Sequence, residues 1–413
     1  MRFLLSLSSV ICLVCSFLPA QAGPGVSKPL HKSPYLTFGT GGKLPAAAVD
    51  QITLFRLRDP KNKGWIDRPG LWTATLTVRG LAAKWGGKGS TDSLIGKYDS
   101  TTGIFTPSAQ AAKLNIVGND SSLQLDPTGL YAVIDRDDAF YFASRKSPTQ
   151  AFGNPVVIQG RIGSFIKSFE APALGWVGGK LKLFWGESGI FMADLDISNP
   201  AKPKIASKSS WVRITAAKQN ASLPVPITGP DGDTEGMVFT NYPGGFNADI
   251  AFMEDLDPKT MTHTVIDTKL YLDTGAIMGG LILTANRNSP TVVEQVEASW
   301  LLGDVEKVGG TLDLLAGTPK KGKNVVLTTV FASLSTIKAS PITGFFGNLG
   351  IAPAGIFPLV NLLHPNASEM AQVSVPIPNL PGLKGVRLPI QGVSIDAVAK
   401  TRAFTNTAWI VLK

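Results

Sequence analysis

Residues 122–144 read SLQLDPTGLYAVIDRDDAFYFAS, and this stretch decides the fold. Polar and apolar residues alternate before the Asp-Pro-Thr-Gly sequence at 126–129, an apolar run follows it at 130–134, and an acidic turn comes at 135–138. Alternation with a period of two predicts strands that bury one face, and the proline and glycine between them predict a tight turn. The stretch therefore predicts three short antiparallel strands.

The same pattern recurs twice further along the chain. Residues 171–195 place a Gly-Gly turn at 178–179 between apolar strands, and residues 237–253 do so around Pro-Gly-Gly at 243–245. Each unit is about 50 residues long, which is close to the period of propeller blades. Such units must stack around an axis to bury their faces, so we expect an all-β, irregular β-propeller of about five blades over residues 52–316.

The composition agrees with many short strands and turns. The chain contains 43 glycines and 29 prolines, and only 17% of its residues are charged. These values exclude a coiled coil, a highly charged disordered chain and a collagen-like repeat. Residues 71–78 predict one more half-buried strand, and only residues 289–300 show a pattern long enough for a helix.

The first repeat carries three short motifs, at Leu125–Tyr131, Ala143–Arg145 and Phe152–Pro155. Together they resemble the WD40-like (PD40-type) propeller repeat of secreted bacterial proteins, with Asp-Pro-Thr-Gly in place of the usual Ser-Pro-Asp-Gly. The resemblance implies a propeller in which Tyr131 and Phe142 pack between blades.

The composition changes after the glycine- and lysine-rich stretch 317–323, which predicts a linker. Residues 324–413 carry Val-Pro-Ile-Pro-Asn at 375–379, Gln-Gly at 391–392 and Thr-Asn at 405–406. These motifs resemble the C-terminal segment of secreted planctomycete-type proteins. The resemblance implies a small C-terminal β-sandwich module without a catalytic role.

Residues 1–22 have the pattern of a signal peptide. Arg2 supplies the positive start, an apolar stretch covers residues 3–18, and Ala20-Gln21-Ala22 matches the cleavage motif. Both cysteines of the chain fall inside this segment. We therefore expect a protein exported to the periplasm, cell surface or medium, without cysteines after cleavage near Ala22 and with a flexible leader over residues 23–51.

Residues 342–363 contain no charge and are long enough to mimic a membrane span. Several glycines and prolines interrupt them, and strand-like sequence follows. We therefore expect a buried piece of a β domain, and no membrane span in the mature chain.

Three histidines, and no motif that places them together, argue against Ser-His-Asp and histidine–metal chemistry. Carboxylates remain, and propeller glycoside hydrolases use a pair of them at the central channel. The blade-wise spacing offers these candidates for such a pair: Asp126, Asp194, Glu235 and Glu254.

The densest acidic cluster is Asp231, Asp233 and Glu235. Oxygens at alternate positions before a glycine are typical of Ca²⁺ loops, which makes Ca²⁺ the one cofactor that the sequence suggests. A solvated β-turn explains the same residues more simply.

The net charge of +9 and the pI near 9.4 suggest an anionic partner. The basic residues are dispersed and not interleaved with aromatic ones, which argues against nucleic acid. Trp65, Trp72 and Trp85 are candidates for stacking on sugar rings, whereas Trp176 and Trp185 are expected to fill gaps between blades.

The sequence thus predicts an exported, non-catalytic binding or scaffolding protein of the cell envelope or extracellular space, with a polysaccharide or a protein as its partner. The alternative is a propeller-fold glycoside hydrolase that uses paired carboxylates. A purely structural envelope component, in which the propeller acts as a spacer, is the third interpretation.

Overall fold

The computed structural model describes residues 25–30, 37–38, 48–55, 57–59, 61, 66–67, 71–99, 104–117, 120–136, 139–160, 171–186, 188–207, 210–215, 220–229, 232–244, 247–253, 263–266, 274–278, 281–285, 293–303, 308–318, 324–364 and 370–412. The predicted signal peptide lies outside these residues, as does most of the predicted leader. Contacts between Cα atoms divide the chain into two compact units, Lys28–Glu297 and Ala298–Lys413 with Met1–Ser27.

The strands of the larger unit follow β1 (Gly25–Leu30) and form five sheets, which we call blades I to V. Blade I consists of β2 (Thr37–Phe38), β3 (Ala48–Phe55), β4 (Leu71–Arg79), β5 (Thr91–Asp99) and β6 (Ile104–Ser108). Blade II consists of β7 (Asp120–Leu125), β8 (Tyr131–Arg136), β9 (Ala139–Ser144) and β10 (Val156–Val157). Blade III consists of β11 (Ala173–Val177), β12 (Lys180–Gly186), β13 (Ile190–Asp196), β14 (Lys204–Ile205) and β15 (Val212–Arg213). Blade IV consists of β16 (Ala221–Thr228), β17 (Thr234–Gly244), β18 (Asn247–Met253) and β19 (His263–Ile266). Blade V consists of β20 (Thr274–Met278), β21 (Leu281–Ala285) and the first half of β22 (Val293–Gly303).

The blades follow one another around a closed ring. Strands of each blade contact the next blade in chain order, and β20 and β21 contact β3 of blade I. Among the described residues, hydrogen-bonded strands within a blade pair antiparallel, except that the short β2 pairs parallel with β6. This is the predicted all-β propeller, and the strands predicted over residues 71–78 and 122–144 are confirmed as β4 and β7–β9.

Apolar clusters fill the spaces between neighbouring blades. One joins blades I and II, a second joins II and III, and a third joins III and IV. Tyr131 and Phe142 stack with their ring centroids 5.6 Å apart in the cluster between blades II and III. The alternation read from the sequence is what supplies these faces, because every second side chain of a strand points to the same neighbour.

The smaller unit contains two sheets that share one core. Its strands are the second half of β22, β23 (Thr311–Gly317), β24 (Val326–Ala332), β25 (Thr336–Pro341), β26 (Asn348–Ile351), β27 (Phe357–His364), β28 (Ala371–Pro376), β29 (Arg387–Asp396) and β30 (Thr401–Val411). One sheet joins β22, β23 and β28, and the other has the order β27-β24-β29-β30. Side chains from both sheets form a single apolar cluster, while β25 and β26 make a separate hairpin.

Three short 3-10 helices, Ala83–Trp85, Ala109–Ala111 and Pro381–Leu383, complete the secondary structure of the described residues. No helix among these residues has the length and apolar character needed to cross a membrane. The candidate helix at residues 289–300 is not a helix over its described part, because residues 293–303 pair as strand β22 with β21 and β23. Tertiary pairing overrides the local pattern there.

The two units divide between Glu297 and Ala298, inside β22. The sequence placed the boundary in the linker 317–323, of which residues 319–323 lie outside the described part. The difference arises from β23, which pairs along its whole length with β28 and contributes its apolar side chains to the core of the smaller unit.

Motif residues of the C-terminal segment bond to irregular backbone. The Gln391 side chain donates to the carbonyls of Asn348 (2.7 Å) and Thr405 (2.8 Å) and accepts from the N–H of Gly350 (2.8 Å). The Asn406 amide accepts from the N–H of Leu301 (2.7 Å) and donates to its carbonyl (2.9 Å). Both side-chain amides are buried. They therefore supply these backbone groups with the hydrogen-bond partners that water or a neighbouring strand would otherwise provide.

The uncharged segment 342–363 forms part of this β unit, as expected, but it is not buried. Ile342, Phe346, Phe357 and Leu363 are exposed. The hairpin and β27 lie at the surface of the unit, because the second sheet covers only the opposite face of β27 and β24.

Replacing Asn406 with alanine should destabilise the smaller unit by roughly 2–4 kcal/mol, since it leaves a buried donor and a buried acceptor of Leu301 unpaired. Urea unfolding followed by tryptophan fluorescence measures this change. Asn361→Ala is the matched control, because Asn361 is exposed and bonds only at the surface with Thr329. Equal midpoints for the two variants would contradict the assigned role of Asn406.

Candidate functional site

Asp126 is fully buried at the turn between β7 and β8. Its carboxylate accepts hydrogen bonds from the N–H groups of Thr128 (3.1 Å) and Tyr131 (2.9 Å) and from the Thr128 hydroxyl (2.6 Å). The indole N–H of Trp176, in blade III, donates a fourth at 3.1 Å. Burial raises the pKa of Asp126, and these donors oppose the rise. Asp126 therefore closes its own turn and links two blades.

The other motif residues of this repeat support the same turn. Gly129 has φ 67°, and a Cβ there would lie 2.5 Å from Leu57 of the segment after β3. The Arg145 Nε donates to the Gly129 carbonyl at 2.5 Å, and its Cζ lies 4.3 Å from the Phe152 ring centroid. Burial lowers the pKa of Arg145 to about 10, an effect that the charge of Asp126 partly offsets.

Trp176 is presented by the hairpin of β11 and β12. Gly178 and Gly179 have φ angles of 57° and 73°, as a two-residue type I′ turn requires, and Trp176 stands opposite Leu181 in the resulting register. The indole N–H points to Asp126, while the half-buried ring lines a cleft on blade III.

This blade III cleft has a volume of about 530 Å³ and is the candidate functional site. Its apolar lining consists of Trp176, Leu181, Leu195, Ile197 and Ile205. Its polar lining consists of Lys180, Asp194, Asp196, Ser198, Lys204 and Ser207. An aromatic wall with hydroxyl and charged groups around it can hold a polar ligand that has one apolar face.

Asp194 is already paired with protein cations. The Nζ of Lys182 donates a hydrogen bond to its carboxylate, and the Nζ of Lys180 lies 3.7 Å away. The hydrogen bond from Lys182 lowers the pKa of Asp194, so the side chain is an anion at neutral pH. A paired carboxylate of this kind is poorly suited to act as a general acid.

Asp196 is likewise occupied, since it accepts the backbone N–H of Ser198 at 2.9 Å. That bond lowers the pKa of Asp196, and the charge of Lys204 adds to the effect. Three lysines, at 180, 182 and 204, therefore face two aspartates in and beside the cleft. The balance favours an anionic ligand.

The centre of the ring is occupied by protein at one level. Gln124 of β7 is buried and donates from Nε2 to the carbonyl of Pro224 of β16, at 2.8 Å. These strands belong to blades II and IV, which are not neighbours, so the bond crosses the interior of the ring. Leu223 lies in the irregular part of β16, where the register shifts between Ser222 and Val225, and has a positive φ of 55°.

The described carboxylates predicted for hydrolysis belong to three different blades. Asp126 is buried in blade II, where it accepts the indole N–H of Trp176. Glu235 is half-buried on blade IV. Asp194 is the one member of the predicted set that lines the cleft. Glu254 lies outside the described residues.

The predicted calcium loop is only partly described, because Asp231 lies outside the described residues. Asp233 accepts the N–H of Gly178 at 2.8 Å, which ties blade IV to the turn of blade III. Within the described part of the chain, no three His, Cys, Asp or Glu side chains are grouped so that they could hold a metal ion.

The buried His364 lies 2.7 Å from the Thr328 hydroxyl through its Nε2.

Of the tryptophans expected at a sugar site, the two described ones do not line the blade III cleft. Trp72 is 2% exposed inside β4, so its ring offers no surface to a ligand. Trp85 is half-buried in a 3-10 helix, with the Lys84 Nζ 5.5 Å from its ring centroid. Trp65 is outside the described residues.

Trp185 fills the space between blades, as predicted, whereas Trp176 does so only in part. Trp185 stacks with Phe191 and meets the edge of Trp211, and it is buried. The position of Trp176, two residues before a Gly-Gly turn, was the signal in the sequence that its ring reaches the end of the blade.

No protein-family model matches the sequence, and no curated protein is significantly similar to it. Solved structures with a similar fold include an alpha-L-arabinofuranosidase from Clostridium thermocellum, at 12% identity and TM-score 0.38, over 58% of this chain and 88% of that one. Sucrose-6-phosphate hydrolase from Lactobacillus gasseri overlaps at 7% identity and TM-score 0.36, over 99% and 93%. The WD40 domain of SCAP from fission yeast overlaps at 9% identity and TM-score 0.28, over 88% and 84%. None of these similarities bears on function.

Trp176→Phe should cost roughly 1.5–3 kcal/mol, because it removes an N–H donor from a buried carboxylate. The matched control is Trp211→Phe, which removes an indole bond to the neutral carbonyl of Ala206 and should cost roughly 0.5–1.5 kcal/mol. Urea unfolding measures both.

The two deficits should also differ in their dependence on pH. Losing the Trp176 donor raises the folded-state pKa of Asp126 further above its ordinary value of 3.8. When the folded-state pKa of a group lies above its unfolded-state pKa, the protonated group stabilises the folded protein at low pH. This stabilisation is lost as pH rises through the folded-state pKa. The deficit of Trp176→Phe should therefore grow as pH rises through the folded-state pKa of Asp126, which lies above 3.8, while that of Trp211→Phe stays constant. Parallel pH profiles would rule out the Asp126 link.

Proposed function

We propose that the protein is an exported, non-catalytic binding protein and that the blade III cleft binds an acidic polysaccharide. The observation that carries the proposal is the composition of this cleft: a half-buried tryptophan ring, an apolar floor, and the exposed Lys180 and Lys204 at the rim, with Lys182 beside it. A sugar ring can stack on the Trp176 face, its hydroxyls can bond to Ser198 and Ser207, and its carboxylate can pair with Lys180 or Lys204.

The state of the carboxylates supports binding over hydrolysis. A propeller hydrolase needs one acid that gives up a proton and a second carboxylate on the other side of the scissile bond. Asp126 is committed to its turn and to Trp176, and Asp194 is held as an anion by Lys182. The Gln124–Pro224 bond occupies the interior of the ring, where such a pair would have to meet.

A short polyuronate, such as an oligogalacturonate, should quench tryptophan fluorescence of the purified protein, and a neutral oligosaccharide of equal length should not. The double variant Lys180→Ala/Lys204→Ala should weaken binding about tenfold or more, because it removes both exposed cations of the cleft. Trp176→Phe should abolish most of the quenching.

The control variant Lys113→Ala/Lys146→Ala removes the same charge from exposed positions away from the cleft. Equal weakening by both double variants would show that only net charge matters and would refute the cleft as the site. Release of reducing ends from the polysaccharide, lost in Glu235→Gln, would instead establish the hydrolase alternative.

A further inference from the structure

The outer face of the β27-β24-β29-β30 sheet is only partly covered. Along β24, Val330 and Ala332 point into the core that both sheets share and Val326 is buried on the same face, so the alternate residues point outward. The hairpin of β25 and β26 covers one end of this outer face, where Phe345 stacks on Phe404 with centroids 4.8 Å apart.

Beside the hairpin, the face carries an uncovered aliphatic row. Leu327 pairs in register with Leu363 of β27 and with Ile395 of β29, and Ile395 pairs with Arg402 of β30. Leu363 is 64% exposed, and Leu327 and Ile395 are also exposed. Side chains opposite each other on adjacent strands lie in contact, so these three form a continuous apolar strip.

The strip widens at the sheet end. Val325, which precedes β24, is 65% exposed, and Val398, in the β29–β30 turn, is 69% exposed. The N–H of Phe346, an exposed residue at the hairpin tip, donates to the Arg402 carbonyl, so the hairpin tip lies beside the same edge. We call this surface the apolar end; its members are Val325, Leu327, Phe346, Leu363, Ile395 and Val398.

Cations border the apolar end, and the acidic residue Asp396 next to it is buried. Lys400 and Arg402 are exposed in and after the β29–β30 turn. Asp396 is buried, where it accepts the N–H groups of Val398 and Ala399 and the amide of Asn324. The chain enters this end at Asn324, directly after the lysines of residues 320–323 in the sequence.

The charge of the whole C-terminal part has the same sign. Residues 298–413 contain ten Lys or Arg and five Asp or Glu, a net charge of +5 out of the chain's +9. Positive charge around an exposed aliphatic surface is complementary to anionic headgroups above an acyl layer. Aliphatic side chains offer a polysaccharide no hydrogen bonds, and a two-fold contact between copies would bring Lys400 and Arg402 against their equivalents.

From these observations we propose that the apolar end docks the C-terminal unit onto an anionic lipid surface. Val325, Leu363 and Val398 enter the headgroup–acyl boundary, and Lys400 and Arg402 bind headgroup phosphates. This contact is peripheral and reversible, and it is independent of the blade III cleft.

The test is co-sedimentation of the purified full-length chain with vesicles of phosphatidylcholine alone or with about one-third phosphatidylglycerol. We expect retention on the anionic vesicles, lost at high salt. Val325→Asn/Leu363→Asn should weaken it about tenfold or more, and Lys400→Ala/Arg402→Ala should weaken it on anionic vesicles. Val117→Asn/Val157→Asn, at two exposed positions of the larger unit, is the matched control and should bind as the wild type does.

Three results would overturn the proposal. One is the absence of retention on anionic vesicles, and another is equal weakening by the control pair. The third is a wild-type dimer in solution that Val325→Asn/Leu363→Asn converts to a monomer, which would assign the apolar end to a second copy. Unchanged urea midpoints confirm that each variant is folded, and the charge variant, altered only at exposed side chains, keeps the test valid if the aliphatic one unfolds.

Discussion

The carboxylate of Asp126 is the group on which the arrangement of blades II and III depends. A buried anion costs several kcal/mol unless it is fully hydrogen-bonded, so its turn and the Trp176 indole must be in place together. Its donors come from residues two and five positions away and from the next blade, fifty residues on. One side chain thus couples the closure of a local turn to the packing of two blades, and the same indole forms a wall of the blade III cleft.

The C-terminal unit uses the same principle with amides. Gln391 and Asn406 bond to backbone groups where the ladder is irregular, including the register shift between Gln391 and Val393. Buried peptide groups that lack a ladder partner must find one in a side chain. Short polar motifs that look like functional signatures are, in both units, the places where the backbone needs a partner.

The two units carry different kinds of surface. Residues 298–413 of the C-terminal unit carry a net charge of +5 out of the chain's +9, while two lysines and two aspartates line the blade III cleft. The cleft combines a ring face with a few polar groups, which suits selection of a ligand. The apolar end combines aliphatic side chains with many cations, which suits attachment to an extended anionic surface.

Local chemistry let the sequence by itself determine the strands and turns of residues 122–144, the Gly178–Gly179 hairpin and the all-β class, because alternation and turn residues act over a few positions. Only the tertiary structure decided that residues 293–303 pair as a strand, and that the first unit ends at Glu297. It also decided that Trp72 is buried while Trp176 borders a cleft, although both lie in alternating strands. The physical reason is that alternation defines two faces for each strand, but which face is covered depends on the blade or sheet that packs against it, and that partner is distant in the chain.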